Sequence, residues 1–441
     1  MNKSLYIVAF SLAFATTGIA QNNEGQDKTV DLGTQTTTEL RKTQAVSTIY
    51  SDELDKNATT SPYNAIYGLL PGLTVMQNTS WGTDKSRLNV RGRGSLNGDT
   101  PLFVVDGFAR PIEYINLSEI ESISVLKDGA ATALWGGRGA NGVVLITTKR
   151  GMYSKKEIKV DYKFGLGLPV NQPEFADAYT YAKARNEALR YDGLQPDMDE
   201  ASFLAGGNSD LYPNVDWQKE ALRNHTTSHQ LDITFRGGGK RLRYFSVLNY
   251  KNDMGLLNSK YTDYTDRYNS QMKKYFLNLR MNLDVDITDA TKLKLNMLGM
   301  LRETKRPTTS EATLFEQIFN TPSAAFPVQT QNGLWGSNNV LKTNPIANLA
   351  DVGYYKLNQR MLQADLRLIQ DLSVLTRGLS AELAIAYDNN ATYQETAKKS
   401  FMYQTIEKGT DGEPVYTNYG NPNDELEISN KGLANQYIHA N

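Results

Sequence analysis

One glycine-rich stretch has the spacing of a nucleotide-binding loop. Residues 137–142, Gly-Arg-Gly-Ala-Asn-Gly, fit the pattern GxGxxG, in which glycines let the backbone approach a pyrophosphate. That chemistry requires a strand before the glycines and a helix after them. Here a predicted helical turn over 130–135 precedes the glycines and an apolar strand from Val143 follows. We therefore expect a turn, and the chain has neither a GxxxxGK phosphate loop nor a serine flanked as in a nucleophile elbow.

Residue types that bind metals or carry out acid–base chemistry are sparse. The 441 residues include no cysteine and three histidines, of which His225 and His229 lie four apart in a segment that alternates like a strand. On a strand this spacing does not bring two side chains together as it would on a helix. No nucleophile is paired with a base, so the sequence predicts no enzyme, no metal site and no cofactor.

The charge balance gives no reason to expect a nucleic-acid partner. Lys and Arg total 47 and Asp and Glu total 48, for a net charge of −1. The stretch Arg91-Gly92-Arg93-Gly94 has the composition of an RNA-binding repeat. Because it is a single unit without interleaved aromatic residues or a basic domain around it, a loop is the favoured interpretation.

The elements that must position these residues show a period of two. From Tyr275 to Thr288 every odd position is apolar, and every even position except Phe276 is polar. This alternation predicts a β-strand with one apolar and one polar face. The run of fourteen residues exceeds the ~5 to 6 of an average soluble strand and suits the ~9 to 11 that cross a membrane at a tilt. It indicates a transmembrane β-barrel.

The same alternation recurs along the chain. The connections between the predicted strands are long and short in turn, as in outer-membrane barrels with short periplasmic turns and long external loops. An exported soluble β-protein is the alternative, and it would not require this parity. The seven predicted strands cover residues 157–168, 230–236, 242–250, 275–288, 292–301, 362–368 and 379–387, and an eighth begins near Glu425.

The region before the first strand has a different pattern. From Tyr63 to Gly151, short apolar runs are separated by Gly, Pro, Asn and Asp, which predicts a small α+β domain. At the start of the chain, Lys3, an apolar stretch over 5–15 and small residues at 18–20 predict a secretory signal peptide over residues 1–20.

Four blocks of the small domain resemble the plug domain of the SusC/RagA family, the TonB-dependent (TonB-linked) outer-membrane transporters of Bacteroidota. The blocks occur in the family's order and spacing, and similar segments continue downstream, so the resemblance covers the chain from about Thr29 onward. They are Leu88–Gly92, Pro101–Gly107, Ile120–Asp128 and Gly139–Gly151.

The resemblance implies an α+β plug domain over 63–151, followed over 152–441 by the N-terminal part of a transmembrane antiparallel β-barrel. In the full family fold the barrel has about 22 strands, and the plug fills its lumen. The implied function is TonB-dependent active import of a large nutrient, an oligosaccharide or a peptide, across the outer membrane together with a SusD-like surface lipoprotein.

Energy would come from the TonB–ExbB–ExbD complex, which grips a TonB box by adding it as a strand to a sheet edge. The polar leader over 21–62 is expected to be disordered and to carry this box. Asp31 and the missing Gly-Tyr-Gly-Thr that usually follows the box depart from the family pattern. The candidate box is Thr29, Val30, Asp31, Leu32 and Gly33.

Five charged plug residues are candidates to pair with lumen-facing charges and so to set how readily the plug moves. Alternatively they are ordinary solvated or turn residues, because exposed ion pairs contribute only ~0 to 1 kcal/mol. The four tryptophans are candidates to stack on sugar rings, or else are loop and membrane-girdle residues. The charged candidates are Arg91, Arg93, Asp106, Asp128 and Arg138, and the tryptophans are Trp81, Trp135, Trp217 and Trp335.

The number of strands is small for such a barrel. The residues after Gly151 supply about eight strands at the observed spacing, against about 22 in the family fold. A closed eight-stranded barrel would have no room for the plug, and an open one would leave strand edges unpaired in lipid. We therefore expect a fragment or the product of a truncated gene. An outer-membrane binding or receptor protein without transport, and a non-functional truncated transporter, stay open as alternatives.

Overall fold

The computed structural model describes residues 10–11, 29–33, 36–38, 41–56, 59, 61–77, 86–94, 98–153, 156–170, 172–421 and 425–440. Apart from Phe10–Ser11, the predicted signal peptide lies outside the described residues, as does Trp81. We call residues 29–151 the N-terminal domain. We call the eight long strands that follow it the wall.

The N-terminal domain is built on a five-stranded mixed sheet, as an α+β domain requires. Its strands lie in the order β4-β9-β10-β7-β8, with only β10 and β7 parallel, and shorter hairpins pair β2 with β3 and β5 with β6. Because strand β4 belongs to this sheet, the domain begins before Tyr63, where the sequence predicted its start. The strands are β1 Phe10–Ser11, β2 Thr29–Asp31, β3 Thr36–Thr38, β4 Val46–Tyr50, β5 Leu73–Met76, β6 Arg87–Val90, β7 Leu102–Val105, β8 Phe108–Ala109, β9 Ile120–Leu126 and β10 Val143–Thr148.

The central strand β10 is buried on both faces of this sheet. Val144 and Ile146 belong to one apolar cluster, and Val143 and Leu145 belong to another. Because successive side chains of a strand point to opposite faces, the domain has apolar packing on each side of its sheet. Short helices connect the strands: α1 Ser51–Leu54, α2 Pro62–Ala65 and α3 Gly129–Thr132, with 3-10 turns at Ile112–Tyr114, Leu117–Glu119 and Ala133–Gly139.

The wall is one antiparallel sheet in the order β11-β12-β13-β14-β15-β17-β18-β21, with β1 paired to the outer edge of β11. All seven predicted strands and the eighth are present, and most extend further than the apolar alternation alone indicated. The strands are β11 Glu157–Gly167, β12 Thr226–Gly238, β13 Leu242–Met254, β14 Lys273–Asp286, β15 Thr291–Pro307, β17 Gly353–Asp371, β18 Ser380–Lys398 and β21 Glu427–Ala440.

Short turns join the strands at the end of the wall near residue 157, and the long connections lie at the opposite end. The long connections contain helices that the alternation did not predict, each opened by an Asp, Asn or Ser whose side chain accepts a backbone N–H bond where the helix begins. They are α4 Ala178–Tyr191, α5 Glu200–Ala205, α6 Trp217–Ala221, α7 Ser259–Thr262, α8 Glu311–Asn320 and α9 Pro345–Ala350, beside a small sheet of β16 Trp335–Ser337, β19 Met402–Lys408 and β20 Pro414–Gly420.

Helices α6 to α9 pack on one another through a cluster of buried apolar side chains, which we call the loop cluster. It includes Trp217, Leu222, Leu257, Tyr261, Met272, Leu314, Ile318, Phe326, Trp335, Ile346 and Leu349. None of the helices in the described part of the chain is long and apolar enough to cross a bilayer.

Candidate functional site

The N-terminal domain rests against one face of the wall, the inner face, through buried charged groups. Arg110 reaches two neighbouring strands at once. Its Nη1 donates to Asp365 Oδ2 at 2.8 Å on β17, and its Nη2 and Nε donate to Asp388 at 2.6 and 3.0 Å on β18. A further bond joins Nη2 to Asp365. With 3% of the Arg110 side chain exposed, this is an ion pair shielded from water.

The local fold explains why Arg110 points at the wall. It follows the β7–β8 hairpin, and its backbone N–H donates to Phe103 O at 3.2 Å. Phe108, two residues earlier, packs on Ala384 and Ala386 of β18 and lies under the Arg110 guanidinium, 5.3 Å from it. Burial alone would lower the pKa of Arg110, but its bonds to the two aspartates raise that pKa above its ordinary value.

The turn of this hairpin is Asp106-Gly107, with both residues in the left-handed region at φ +46° and +91°. The Asp106 carboxylate accepts bonds from Thr148 N at 3.0 Å and Thr148 Oγ1 at 2.7 Å, inside the domain. Its backbone carbonyl accepts from Arg367 Nη2 of the wall at 2.9 Å. Glycine is favoured at 107 because other residues rarely adopt φ +91°, and a Cβ there would lie 2.7 Å from the same nitrogen and displace it.

Asp106 was expected to pair through its charge with the wall, whereas it contacts the wall through its backbone. Burial by itself would raise the pKa of Asp106, but the positive charges of Arg150 and Arg280 and the bonds from Thr148 hold that pKa below its usual range. The charged carboxylate thus bonds the turn to Thr148 of β10.

A second buried ion pair has the opposite polarity. Glu119 of the domain, fully buried, accepts from Arg280 Nε and from Asn278 Nδ2, both at 2.5 Å, on β14. Burial raises the pKa of the Glu119 carboxyl, and the Arg280 guanidinium is the main group that opposes this. The capping box of the 3-10 turn Leu117–Glu119 holds the carboxylate in place, because it also accepts from Asn116 N at 3.2 Å.

The remaining described contacts between the domain and the wall are mostly polar. Arg150 pairs with Asp284 at 3.2 Å, and Asn282 donates to Thr148 Oγ1 and to Lys149 O at 2.8 Å. Asn249 donates to Ser118 Oγ at 2.8 Å. Among the residues that the structure describes, two small apolar clusters join the domain to the wall, around Phe108 and around Tyr114. The N-terminal domain thus has its own apolar core and a polar contact with the wall.

Of the five charged candidates, the described contacts bring none into an ion pair with the wall. Arg93 pairs at 2.9 Å with Asp99 of its own domain. Asp128 caps α3 through Ala131 N and also accepts from Ala45 N, both at 2.8 Å. Arg91 and Arg138 are exposed. In the described part of the chain Arg93 uses its charge in an ion pair within the plug and Asp128 uses its charge in a helix cap, and the role of the five residues in plug movement stays a prediction.

The residues that do form the contact were missed, although a signal for the wall side was present. Arg280, Asn282 and Asp284 occupy even positions of the alternating run from Tyr275, and these positions make the polar inner face. On the plug side, Arg110 and Glu119 stand in irregular segments without a periodic pattern. Nothing in the sequence alone distinguishes them from solvated charges.

The candidate box, residues 29–33, is ordered against the domain rather than disordered as expected. Val30 and Leu32 are 0% and 6% exposed and pack with Leu145 and the partly buried Trp135. Asp31 accepts from Thr147 Oγ1 at 2.9 Å and from Gly33 N at 2.8 Å. The alternation of residue types explains why this segment packs on the domain. Val30 and Leu32 lie on one face of the strand and are buried, while the Asp31 carboxylate on the other face is hydrogen-bonded.

The tryptophans have structural positions where they are described. Trp217 and Trp335 are buried in the loop cluster, where they donate to Pro322 O and Asp351 Oδ2, both at 3.1 Å. These two are core residues and do not present a ring for stacking on a ligand. His229 contacts the rings of Tyr162 and Phe164, and no group of three or more acidic or histidine side chains in the described ranges is arranged to hold a metal ion.

A folded domain held by polar contacts on the inner face of a long antiparallel sheet defines a class, the TonB-dependent receptors of the outer membrane. Residues 38–143 match the model of the TonB-dependent Receptor Plug Domain. The chain is 30% identical over 255 residues to TonB-dependent receptor SusC of Bacteroides thetaiotaomicron, and 28% identical over 281 residues to TonB-dependent receptor P26 of Formosa agariphila. These alignments cover 54% and 62% of the chain.

Among solved structures, the RagAB peptide importer in its open-open state has a similar fold, with a TM-score of 0.69 at 18% identity over 94% of the chain. The chain therefore carries a TonB-dependent receptor plug domain and is similar in sequence to SusC of the SusC/RagA family of TonB-dependent outer-membrane proteins. Its N-terminal domain is the plug, on the periplasmic side, and its wall is part of the β-barrel. The chain spans about a quarter of the length of the two curated relatives and about half of the RagAB chain.

Proposed function

We propose that this protein takes part in TonB-dependent import of a large nutrient, an oligosaccharide or a peptide, across the outer membrane. The observation that supports this most is the buried but polar contact between plug and wall, centred on Arg110 and Glu119. A contact of this kind can separate at modest net cost, since charges that part can be solvated again. The plug's own apolar core would not be opened by that separation.

The capture of energy is assigned to residues 29–33. Among the described strands only β3 pairs with β2, and a strand from the TonB component of the TonB–ExbB–ExbD complex would add to the other edge of β2 once this buried segment has parted from the plug surface. Val30 and Leu32 pack on the plug core, which connects this segment mechanically to the sheet. A pull on β2 would therefore act on the plug directly.

The partner at the external end would be a SusD-like lipoprotein, as in the family. The helices α4 to α9 and the loop cluster build a folded layer at the end of the wall remote from the short turns. Such a layer provides a fixed surface on which a lid could close. Together with the scarcity of catalytic groups, this arrangement favours a transporter over an enzyme.

The test is a reversible cross-link between plug and wall. Ser118→Cys and Asn249→Cys place two cysteines where the native side chains lie 2.8 Å apart, in a chain that has no other cysteine. A short cleavable cysteine cross-linker should abolish nutrient uptake and cleavage should restore it, because the plug must part from the wall. Uptake would be measured in cells that depend on this transporter for growth.

The matched control links two strands of the wall. Thr291→Cys and Gln370→Cys replace side chains that also lie 2.8 Å apart, but both belong to the wall. This cross-link should leave uptake unchanged. Full uptake with plug and wall linked would contradict the proposal.

A further inference from the structure

One short turn of the wall differs from the others in polarity. The tips of the turns at 239–241 and 287–290 carry Lys240 and Asp289. The turn at 372–379, between β17 and β18, instead exposes two apolar side chains, Val374 by 97% and Leu375 by 75%. Exposed apolar side chains of this size raise the free energy in water, so a continuous apolar surface there indicates contact with another phase or molecule.

This turn has a defined conformation. Leu372 N donates to Leu379 O at 2.9 Å, and Leu375 N donates to Leu372 O at 2.8 Å. Ser373 N donates to Asp371 Oδ1 at 2.7 Å. Val374 and Leu375 are therefore held out from the end of the wall by backbone hydrogen bonds.

The apolar turn continues the outer face of the wall. On that face Leu366 lies beside Ile385 and Leu368 beside Leu383, and all four side chains are more than a third exposed. The last pair of the β17–β18 ladder is Asp371 with Ser380. The hydrogen bond between Leu372 and Leu379 extends the pairing by one position, where the next outward-facing side chain is again apolar. The outer face is the lipid-facing surface of the barrel, so the turn extends an existing lipid contact.

The height of this apolar band places the turn at the membrane boundary. The outward-facing band on β17 runs from Leu362, which is 52% exposed, to Leu372 at the turn, and Gln370 is its one polar member. Ten steps of ~3.3 Å at a tilt of ~40° give a height of roughly 25 Å, the height of the apolar band in outer-membrane barrels. The tip beyond Leu372 then lies at the periplasmic headgroup level.

We propose that the turn at 372–379 inserts into the periplasmic phospholipid leaflet of the outer membrane. Val374 and Leu375 enter the boundary between headgroups and acyl chains, and the exposed Arg377 of the same turn lies at the phosphates. The turn would fix the height of β17 and β18, which carry Asp365 and Asp388. The inference depends on the chain's place in the outer membrane and is independent of the proposed import.

The absence of native cysteine allows a direct measurement on the full chain. A nitroxide label at Val374→Cys is examined by electron paramagnetic resonance in isolated outer-membrane fragments, which are open to reagents on both faces. The measured quantities are the collision rates of the label with oxygen, which dissolves in the apolar phase, and with the water-soluble nickel reagent NiEDDA. We expect loss of NiEDDA collisions toward the level at Leu383→Cys, a lipid-facing reference on β18.

The matched control is Lys240→Cys, on the polar turn of the same rim, where the label should collide freely with NiEDDA. Equal NiEDDA collisions at Val374→Cys and Lys240→Cys would overturn the proposal. So would a label at residue 374 that is immobilised and inaccessible to both reagents, because that result indicates a protein occupant. Because the readout does not involve uptake, it distinguishes failure of this proposal from failure of the proposed function.

Discussion

The contact between plug and wall and the packing inside the loop cluster are stabilised by different forces. The loop cluster buries large apolar side chains such as Trp217, Phe326 and Trp335. The plug is held mainly through Arg110 and Glu119 and their partners. Apolar burial stabilises a contact regardless of partner orientation, whereas a buried ion pair is strong only while both partners stay in place.

Because of this difference, we expect the loop cluster to stay fixed and the plug to be able to separate from the wall. Opening the loop cluster would expose its apolar surface with no compensating gain. Opening the plug contact would return its charges to water, so its net cost is smaller than the cost of deleting one partner. Four predictions use this contrast, and they are ordered from the largest expected effect to the smallest.

The largest effect is expected at Arg110. Arg110→Ala leaves Asp365 and Asp388 buried without their cation, which should weaken plug attachment by about 3 to 5 kcal/mol. The measurement is the urea concentration at which a protease first cleaves the plug in membrane fragments. Replacing both aspartates by asparagine in the Arg110→Ala background should restore most of the loss, and no recovery would show that Arg110 acts by packing alone.

In the loop cluster, Leu257→Ala should destabilise the external layer by about 2 to 5 kcal/mol, because the fully buried side chain leaves a cavity. The measurement is thermal unfolding followed by protease cleavage within residues 255–350. The urea midpoint of plug attachment should stay unchanged. A parallel shift of both midpoints would show that the two regions unfold as one unit and would remove the contrast.

A smaller effect is expected where a charge acts within the plug. Asp128→Ala removes the cap of α3 and the bond to Ala45, at a cost of about 1 kcal/mol, while Asp128→Asn retains most of the capping. Hydrogen bonds from Ala45 and Ala131 lower the pKa of Asp128. Its charge-dependent stabilisation is therefore present above the unfolded pKa of about 4 and is lost as the pH falls through the lower folded pKa.

The measurement for this prediction is plug unfolding by urea at pH 7 and at decreasing pH below 4. The difference between the native protein and Asp128→Asn should shrink as the medium becomes more acidic. A difference that grows with acidity would contradict the assignment of Asp128 as a charged cap.

The smallest effect is expected at Arg138. Its side chain is exposed, so Arg138→Ala should change plug attachment by less than about 0.5 kcal/mol in the same protease assay. It serves as the matched control for Arg110→Ala, since both remove one arginine from the plug. A loss comparable to that at Arg110 would show that Arg138 meets a partner in the membrane.

The strands of the wall could be predicted because each contains a run with a period of two, although most strands extend beyond that run. The helices α4 to α9 could not be predicted from that signal, because they lie inside the long connections, where the period of two is absent. Their caps, such as Asp177 and Ser310, were the available sign, since each accepts a backbone N–H bond where its helix begins.

Only half of the contact between plug and wall was accessible from sequence. Wall residues such as Arg280 and Asp284 follow from the alternation, because polar side chains on the inner face must meet something polar. Arg110 could not be found in this way. Its partners are 255 and 278 residues away in the chain, and three-dimensional pairing at such separation leaves no local pattern.

Because Arg110 bonds to aspartates on two adjacent strands, it also bears on how β17 and β18 pair during folding. In the native register Asp365 lies beside Ala386 and Gln363 lies beside Asp388, with both aspartates on the inner face. A slip of one residue between β17 and β18 would turn one carboxylate toward lipid. A single guanidinium thus distinguishes the correct strand pairing from its nearest errors, and a plug that seats fully is evidence that these two strands were paired correctly.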